Sequence, residues 1–244
     1  MPYFLADRTL AVGEVYELKG EEALHAAGSR RARPGETLSL QDPSGQRYRA
    51  VVEGGGSRGL LLRVAGAEAV PPLPARRVVL LQAAVKPKAL ELIVQKCTEL
   101  GVASLVFFPS AYSSIPHREL RDSKTHQRWE RIAWEACKQS GRQFPPNLEI
   151  ARDLTAALAE SGTALRRWLL ESEANPLQAA PTPIDGEHRL LVGPEGGFTA
   201  EERRQAWDAG FEGTSLGGLT LRAETAAVAA CALALFGWSG PSGA

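Results

Sequence analysis

Two glycine-rich segments near the end of the sequence carry residue types that bind ligands through backbone groups. The first reads Gly-Pro-Glu-Gly-Gly at residues 193–197, and the second reads Leu-Gly-Gly-Leu-Thr-Leu-Arg-Ala-Glu-Thr at residues 216–225. Glycine lets backbone approach a ligand closely, and proline stiffens the turn that displays Glu195. Each segment follows a predicted strand, where open α/β sheets bind ligands. The pattern predicts a ligand site, although the first segment alone is also typical of a tight strand-to-helix turn.

Arg222 gives the main indication of an external partner. It stands at the start of the predicted final helix, where the helix dipole disfavours a cation by roughly a few tenths of a kcal/mol. An arginine retained there often faces a phosphate or a substrate. Glu224 and Thr225 do not distinguish a ligand site from an ordinary helix start, because an acid and a hydroxyl in the first helical turn also serve as caps.

Strands and helices alternate from residue 76 onward, and they must position these segments. Apolar runs at residues 78–85 and 102–108 are typical of buried parallel strands. Pro87 opens a helix that Gly101 closes. The other predicted elements are a helix at 124–140, a strand at 148–151, a helix at 155–160, strands at 165–171 and 189–192, a helix from the capping box Thr199-Ala-Glu-Glu202 to about Gly210, a strand at 214–216 and a helix at 224–238. This alternation predicts a mainly parallel α/β domain.

The first 70 residues predict a small β-barrel or sandwich instead. Asp-Pro-Ser-Gly at residues 42–45 is a turn sequence, so Thr37–Gln41 and residues 47–53 are expected to form a hairpin. Residues 54–59 match the dinucleotide pattern Gly-x-Gly-x-x-Gly, but a strand follows where that motif requires a helix. We therefore interpret them as a hairpin loop. The proline-rich residues 70–75 predict a linker between domains at 1–70 and 76–244.

Composition limits the classes of function. The 244 residues are 44% hydrophobic and 23% charged, no apolar run is long enough for a membrane span, and the N-terminus lacks the apolar stretch of an export signal, which together predict a cytoplasmic protein. The 28 basic and 28 acidic residues argue against a non-specific nucleic-acid binder. Local basic excesses at residues 24–49 and 117–142 leave RNA binding open, although solvated faces would show the same charges.

The three cysteines do not indicate a disulfide framework or a metal site. Cys97, Cys137 and Cys231 are far apart in the sequence and lie in apolar helical patterns. We expect them to be small buried side chains, and we expect no metal.

Four ordered motifs resemble the ribosomal RNA small subunit methyltransferase E family of the SPOUT superfamily. Two are the glycine-rich segments. The others are Gln95-Lys-Cys-Thr-Glu-Leu-Gly101, with Lys86 before it, and Glu135-Ala-Cys-Lys-Gln-Ser-Gly-Arg142. The resemblance covers nearly the whole chain.

The resemblance implies a fold, an activity and an assembly. The fold is a small PUA-like β-barrel followed by a SPOUT-type α/β domain, whose parallel sheet carries a trefoil knot. The activity is methyl transfer from S-adenosylmethionine to N3 of one uridine near the 3′ end of small-subunit (16S) ribosomal RNA, in an assembled or late-stage subunit. The assembly is a homodimer formed largely by the final helix and the helix at residues 87–100.

The resemblance also implies which residues meet the cofactor. These are Leu170, Glu171, Gly193, Pro194, Gly196, Gly197, Leu216, Gly217, Leu219, Leu221, Arg222 and Thr225. The candidate RNA contacts are His25, Arg30, Arg31, Arg33, Lys86 and Arg142. A structural role is the alternative for His25.

The chemistry of uridine suggests two catalytic candidates. N3 carries a proton at neutral pH, so the proton must be removed, or the resulting anion on O2 and O4 must be stabilised. We expect Arg222 to stabilise that charge or to bind a phosphate. Glu195 is the weaker candidate, as a base, and either residue could instead be structural.

Two positions depart from the family pattern. The usual Glu-Arg-Ser after the second strand of the α/β domain appears here as Ala111-Tyr-Ser-Ser114, and an arginine common near the N-terminus is replaced around Pro2 and Tyr3. Both changes remove basic residues expected to face RNA, so they bear on substrate affinity.

Three other functions compete with this one. They are a non-catalytic RNA-binding protein, a SPOUT methyltransferase acting on another RNA or on the ribose 2′-OH, and a nucleotide-dependent oxidoreductase. The sequence context of residues 54–59 argues against the last of these.

Overall fold

A computed structural model describes residues 3–29, 32–56, 59–159, 164–171, 174 and 186–237. The chain forms two compact units: Met1–Pro72 with Cys137–Phe144, and Leu73–Ala136 with Pro145–Ala244. The predicted domains at 1–70 and 76–244 place Cys137–Phe144 in the second domain, whereas these residues belong to the first unit. Within the described residues, no helix has both the length and the apolar character that crossing a membrane requires.

The first unit is built on a mixed, curled five-stranded sheet. Its elements are β1 (Tyr3–Leu5), β2 (Val15–Lys19), α1 (Gly20–Ser29), β3 (Thr37–Gln41), β4 (Arg47–Gly56) and β5 (Gly59–Glu68). The strand order is β1-β3-β4-β5-β2, in which only β1 and β3 are parallel. The predicted hairpin of β3 with β4 is confirmed, as is the hairpin interpretation of residues 54–59, although 54–56 extend β4. Two register shifts between β4 and β5 bend the sheet.

Helix α1 was not predicted, and its sequence shows why. Ala23 and Ala26 are its buried apolar side chains, whereas Leu24 is 74% exposed. Because small alanines face the core and the large leucine faces outward, the apolar periodicity that identifies an amphipathic helix is weak.

The segment Cys137–Phe144 is fixed to the first unit by polar contacts. The hydroxyl of Tyr3 donates to the carbonyl oxygen of Arg142 at 2.7 Å, and Nε2 of Gln41 donates to the carbonyl oxygen of Gln143 at 2.7 Å. Lys138 also forms an ion pair with Glu22, with Nζ 2.8 Å from the carboxylate. These contacts satisfy backbone groups that the chain would otherwise bury unpaired.

Arg47 is at the centre of this polar region. It is 2% exposed, its guanidinium lies 4.1 Å from the centre of the Tyr3 ring, and Nη2 donates to Gln41 Oε1 at 2.9 Å and to the carbonyl of Gly141 at 3.1 Å. Burial raises the pKa of the Tyr3 hydroxyl and raises that of the Cys137 thiol to about 12. Both shifts indicate that the hydroxyl and the thiol are shielded from water.

The second unit is a six-stranded sheet with helices on both faces. Its elements are β6 (Arg77–Ala83), α2 (Pro87–Leu100), β7 (Ser104–Phe108), α3 (His117–Leu120), α4 (Ser123–Ser140, whose last residues belong to the first unit), β8 (Asn147–Ile150), α5 (Leu154–Ala159), β9 (Arg166–Leu170), β10 (Glu187–Val192), α6 (Ala200–Asp208), β11 (Glu212–Thr214) and α7 (Ala223–Phe236). The strand order is β11-β9-β10-β6-β7-β8, and every pair is parallel.

The parallel sheet confirms the predicted α/β arrangement and brings all its carboxyl strand ends to one edge. On one face, Leu80 and Leu190 lie in a core that includes α2 and α7, and on the other Leu81 and Leu191 lie in a core that includes α5 and α6. Strand order does not define how the chain threads through its loops, so the trefoil knot stays a prediction.

The cysteines are buried, as predicted. All three are free, and the sulfur atoms of Cys97 in α2 and Cys231 in α7 lie 3.9 Å apart. That distance is a thiol contact and well beyond an S–S bond of about 2.05 Å.

Candidate active site

A cavity of about 640 Å³ lies at the carboxyl edge of the second unit's sheet. The end of β9 contributes Leu170 and Glu171, the loop after β10 contributes residues 192–198, and the chain after β11 contributes residues 214–217 and 219–223. The two glycine-rich segments therefore form two walls of one cavity. Its volume lies within the range of about 300–1,000 Å³ that is usual for small-molecule sites.

The first wall is fixed by the strand before it and the helix after it. Pro194 and Phe198 are buried, whereas Glu195 and Gly196 are exposed. The predicted capping box is confirmed: Thr199 Oγ1 accepts from the amide of Glu202 at 3.2 Å, and the Glu202 carboxylate accepts from the amide of Thr199 at 2.8 Å. This cap fixes the point at which the loop becomes α6.

The second wall leads into α7. Thr214 and Ser215 are buried, and the chain then exposes Leu219, which is 82% accessible. Arg222 is the N-cap residue of α7, with φ −63° and ψ 152°, and its side chain does not cap the helix. Gly217 in this wall has φ 120° and Gly197 in the first wall has φ 70°, so both occupy backbone conformations that favour glycine.

Arg222 and Glu195 present opposite charges at the cavity. Both side chains are exposed, and Arg222 makes no ion pair with any other described residue. Glu195 Oε2 accepts a hydrogen bond from Ser114 Oγ at 3.0 Å. The side chains of Arg222 and Glu195 can therefore reach a ligand in the cavity.

All the predicted cofactor residues except Thr225 line the cavity. Thr225 is exposed on the first turn of α7 and is not part of the lining. The sequence left a cap and a ligand contact open for Thr225, and its contact with the cofactor stays a prediction.

Two residues were missed: Arg203, which lines the cavity, and Gln82, which contacts the backbone of its first wall. Arg203 in α6 forms an ion pair with Glu171, with Nε 3.3 Å from the carboxylate, and donates to the carbonyl of Phe198. Gln82 is fully buried in β6, and its Nε2 lies 3.4 Å from the carbonyl oxygens of both Val192 and Gly193. A glutamine inside an apolar run was a usable signal for the second, whereas nothing in the local sequence distinguishes Arg203.

The candidate RNA contacts divide by exposure. His25 and Arg33 are exposed in the first unit, with the His25 ring edge-on to Phe4 at 5.8 Å, and Lys86 is exposed immediately before α2. Arg30 and Arg31 lie outside the described residues, as does Pro2.

Arg142 is more enclosed than the other described candidates. It is only 7% exposed, its Nε donates to the carbonyl of Phe144 at 2.6 Å, and burial lowers its pKa. The chain turns back into the first unit and encloses most of this side chain, and its contact with RNA stays a prediction.

The described residues include no group of three His, Cys, Asp or Glu side chains placed to hold a metal ion. The cavity instead combines apolar side chains such as Leu170 and Leu216 with hydroxyl groups, carboxylates and exposed backbone. Such a lining suits an organic ligand that has both an apolar ring and polar substituents.

The chain matches known proteins over most of its length. Residues 71–235 match the family model of the RNA methyltransferase domain. The ribosomal RNA small subunit methyltransferase E of Mycobacterium bovis is 32% identical over 234 residues, which cover 93% of this chain and 88% of the relative. The enzyme of the same name from Aquifex aeolicus is 32% identical over 158 residues, which cover 64% of this chain and 67% of the relative.

Solved structures extend this similarity to the fold. The ribosomal RNA small subunit methyltransferase E of Neisseria gonorrhoeae, bound to S-adenosyl methionine, superposes with a TM-score of 0.81 and 29% identity over 97% of this chain and 98% of that one. A Legionella pneumophila structure with the bound cofactor SAM gives a TM-score of 0.83 and 27% identity. The match covers 95% of this chain and 96% of that one. A barrel-like first unit followed by a parallel-sheet unit is common to all three.

Proposed function

The chain belongs to the ribosomal RNA small subunit methyltransferase E family, and on this premise we propose that it methylates N3 of one uridine near the 3′ end of 16S ribosomal RNA. Its methyl donor is S-adenosylmethionine, as the bound relatives indicate. The observation that carries the proposal is the cavity at the carboxyl edge of the sheet, where both glycine-rich segments meet beside an exposed Arg222.

The cavity residues fit this cofactor. At Gly197 and Gly217, apart from the glycine and its two chain neighbours, no described atom lies within 4 Å of where a side chain would begin, so the backbone there is open to a ligand. Leu170, Val192 and Leu216 supply apolar surface suited to an adenine ring. We propose that these residues and the other predicted cofactor contacts in the lining hold S-adenosylmethionine.

The proposed roles of the charged residues follow from the proton on uridine N3. When bound, the cofactor supplies an electrophilic methyl group attached to a sulfonium sulfur. Glu195 accepts the N3 proton on the carboxylate oxygen that Ser114 does not occupy. Arg222 stabilises the negative charge that develops on the base, or it binds a neighbouring phosphate. Both groups also orient the base, because methyl transfer needs an in-line approach.

A homodimer is the second part of the proposal. Helices α2 and α7 pack on each other, yet Leu92 on α2 is 41% exposed and Phe236 on α7 is 61% exposed. Exposed apolar side chains on adjacent helices favour a symmetric contact with a second copy. Light scattering after size exclusion is expected to give twice the mass of one 26.2 kDa chain.

The remaining proposals concern RNA and location. His25, Arg33 and Lys86 are proposed to contact the RNA backbone, and a cytoplasmic location follows from a ribosomal substrate. Charge reversal at Arg33 is expected to weaken RNA binding and to leave S-adenosylmethionine affinity unchanged.

The decisive experiment uses labelled S-adenosylmethionine, the purified protein and small ribosomal subunits from a strain lacking the enzyme. We expect one methyl group on a uridine near the 3′ end of the RNA, located by mass spectrometry and by a block to reverse transcription, because N3 lies on the pairing edge. Label on a ribose 2′-OH, or on transfer RNA supplied in a parallel reaction, would contradict the proposed target. Absence of calorimetric heat with S-adenosylmethionine would indicate a non-catalytic RNA-binding protein.

A further inference from the structure

The segment at residues 109–116 follows β7 and contains Ser114, the hydrogen-bond partner of Glu195. Because β10, β6 and β7 are neighbouring parallel strands, this segment emerges at the same edge of the sheet as residues 193–197. Ser114 Oγ donates to Glu195 at 3.0 Å, and the amide of Ala111 donates to Glu202 Oε1 at 2.9 Å. The segment is therefore attached both to the first cavity wall and to the first turn of α6.

Internal hydrogen bonds hold this segment in one turn. The amide of Ser110 donates to Ser113 Oγ at 2.8 Å, and the amide of Ser113 donates back to the carbonyl of Ser110 at 3.1 Å. The amide of Ser114 reaches the carbonyl of Ala84 at 3.3 Å. A turn fixed at this many points can present a side chain in a defined position.

Tyr112 is the side chain presented by this turn. A Cβ atom placed on Gly196 would lie 3.1 Å from Cβ and 3.3 Å from Cγ of Tyr112, so the base of the tyrosine is next to the cavity wall. Tyr112 nevertheless remains 55% exposed. An aromatic side chain is thus anchored beside Glu195 with much of its surface open to solvent.

We propose that the ring of Tyr112 stacks on the uracil base that is methylated and holds it beside Glu195. This inference rests on the proposed function. A base must leave its stack before an enzyme can reach N3, and aromatic side chains replace the stacking that is lost. The ring of Tyr112 carries no charge, so it suits the face of a base rather than a phosphate.

The test compares three substitutions of Tyr112 with a matched control. Tyr112→Ala is expected to raise KM for the small subunit by about tenfold to a hundredfold, with a smaller change in kcat, because base stacking of that strength is lost. Tyr112→Phe and Tyr112→Trp are expected to keep KM for the small subunit within about threefold of the wild-type value, because any aromatic ring stacks. The control is Trp207→Ala, which removes another exposed aromatic side chain of the second unit. Trp207 lies on α6 and is 52% accessible, and its loss is expected to leave KM and kcat at the wild-type values.

Several outcomes would overturn the inference. Tyr112→Ala with wild-type KM would exclude stacking, and Tyr112→Phe as defective as Tyr112→Ala would assign the effect to the hydroxyl. An equal loss of S-adenosylmethionine affinity, measured by calorimetry, would show that Tyr112 only supports Gly196. If the wild type methylates no RNA, the proposed function fails instead, and the RNA affinities of the same variants, measured by fluorescence anisotropy, still decide whether Tyr112 binds RNA.

Discussion

Arg222 at the cavity is placed in the opposite way to Arg47 and Arg142 of the first unit. Arg222 is exposed at the N-cap of α7, where the helix dipole opposes its charge, and it has no ion-pair partner among the described residues. Arg47 and Arg142 are 2% and 7% exposed and donate to backbone carbonyls of the segment Cys137–Phe144. Exposure and partners, rather than residue type, separate a binding arginine from a structural one.

The same contrast extends to the polar groups around these arginines. In the first unit, Tyr3, Gln41 and Arg47 each donate a hydrogen bond from the sheet to the returning segment. At the cavity, Glu195 and the backbone of Gly197 and Gly217 remain accessible. Substitutions in the first region should therefore change stability, and substitutions in the second should change activity.

Arg222→Ala is expected to produce the largest effect. Loss of one charge-stabilising donor in an active site typically reduces kcat about 10²–10³-fold. Methyl transfer should fall by at least that factor, while the unfolding midpoint stays at the wild-type value. Arg204→Ala is the control, because Arg204 is an exposed arginine of α6 paired with Glu201. Normal turnover in Arg222→Ala would refute the assigned role.

Arg47→Ala tests the other side of the comparison. It removes the donor to Gln41 and Gly141 and leaves a cavity, so we expect a loss of about 3 kcal/mol in the free energy of unfolding. All five tryptophans belong to the second unit, so their fluorescence follows that unit, and amide hydrogen exchange of β3 to β5 should follow the first.

The control for Arg47→Ala is Arg63→Ala in β5. Arg63 forms an exposed ion pair with Glu53, and its loss should change stability by less than about 1 kcal/mol. Equal stability of the two variants would contradict the structural role of Arg47.

Alkaline pH should weaken the first unit through Cys137. Burial raises the pKa of this thiol from 9.0 to about 12, so the folded chain retains a proton that the unfolded chain releases. Below pH 9 this thiol does not lower the free energy of unfolding. As the pH rises from 9 toward 12, the free energy of unfolding falls by about 1.4 kcal/mol per pH unit. Urea unfolding at pH 8 and pH 10 should show a smaller loss for Cys137→Ala than for the wild type. Identical losses would contradict the assignment.

Thr199→Ala should have the smallest effect. It removes the cap of α6, which typically contributes about 1 kcal/mol, whereas Thr199→Ser retains the hydroxyl. Tryptophan fluorescence in urea measures the change. A loss as large as that of Arg47→Ala would mean that the cavity region also depends on a single buried contact, and the contrast between the regions would fail.

Elements with local signals were predictable from the sequence. Pro87 and Gly101 bound α2, and Thr199 with Glu202 forms the capping box of α6, because each signal acts within a few residues. The two glycine-rich segments could be placed at one cavity for a similar reason, since parallel strands bring their carboxyl ends together.

Features that depend on distant contacts could not be predicted. The hydrogen bond from Tyr3 to Arg142 joins residues 139 positions apart, and the one from Arg47 to Gly141 joins residues 94 apart. No local periodicity encodes such pairs, so the burial of Arg142 could not be predicted. The ion pair of Arg203 with Glu171 could not be predicted from the sequence for the same reason.

The return of Cys137–Phe144 to the first unit also sets an order of events during synthesis. The strands of that unit are complete by residue 68, but the residues that pair with Tyr3, Gln41 and Arg47 come only at 141–143. At translation rates of about 5–20 residues per second, the nascent first unit waits roughly 4–15 s for these partners. A chaperone that holds exposed strands through that interval would raise the yield of native protein, and slowing codons before residue 144 would lower it.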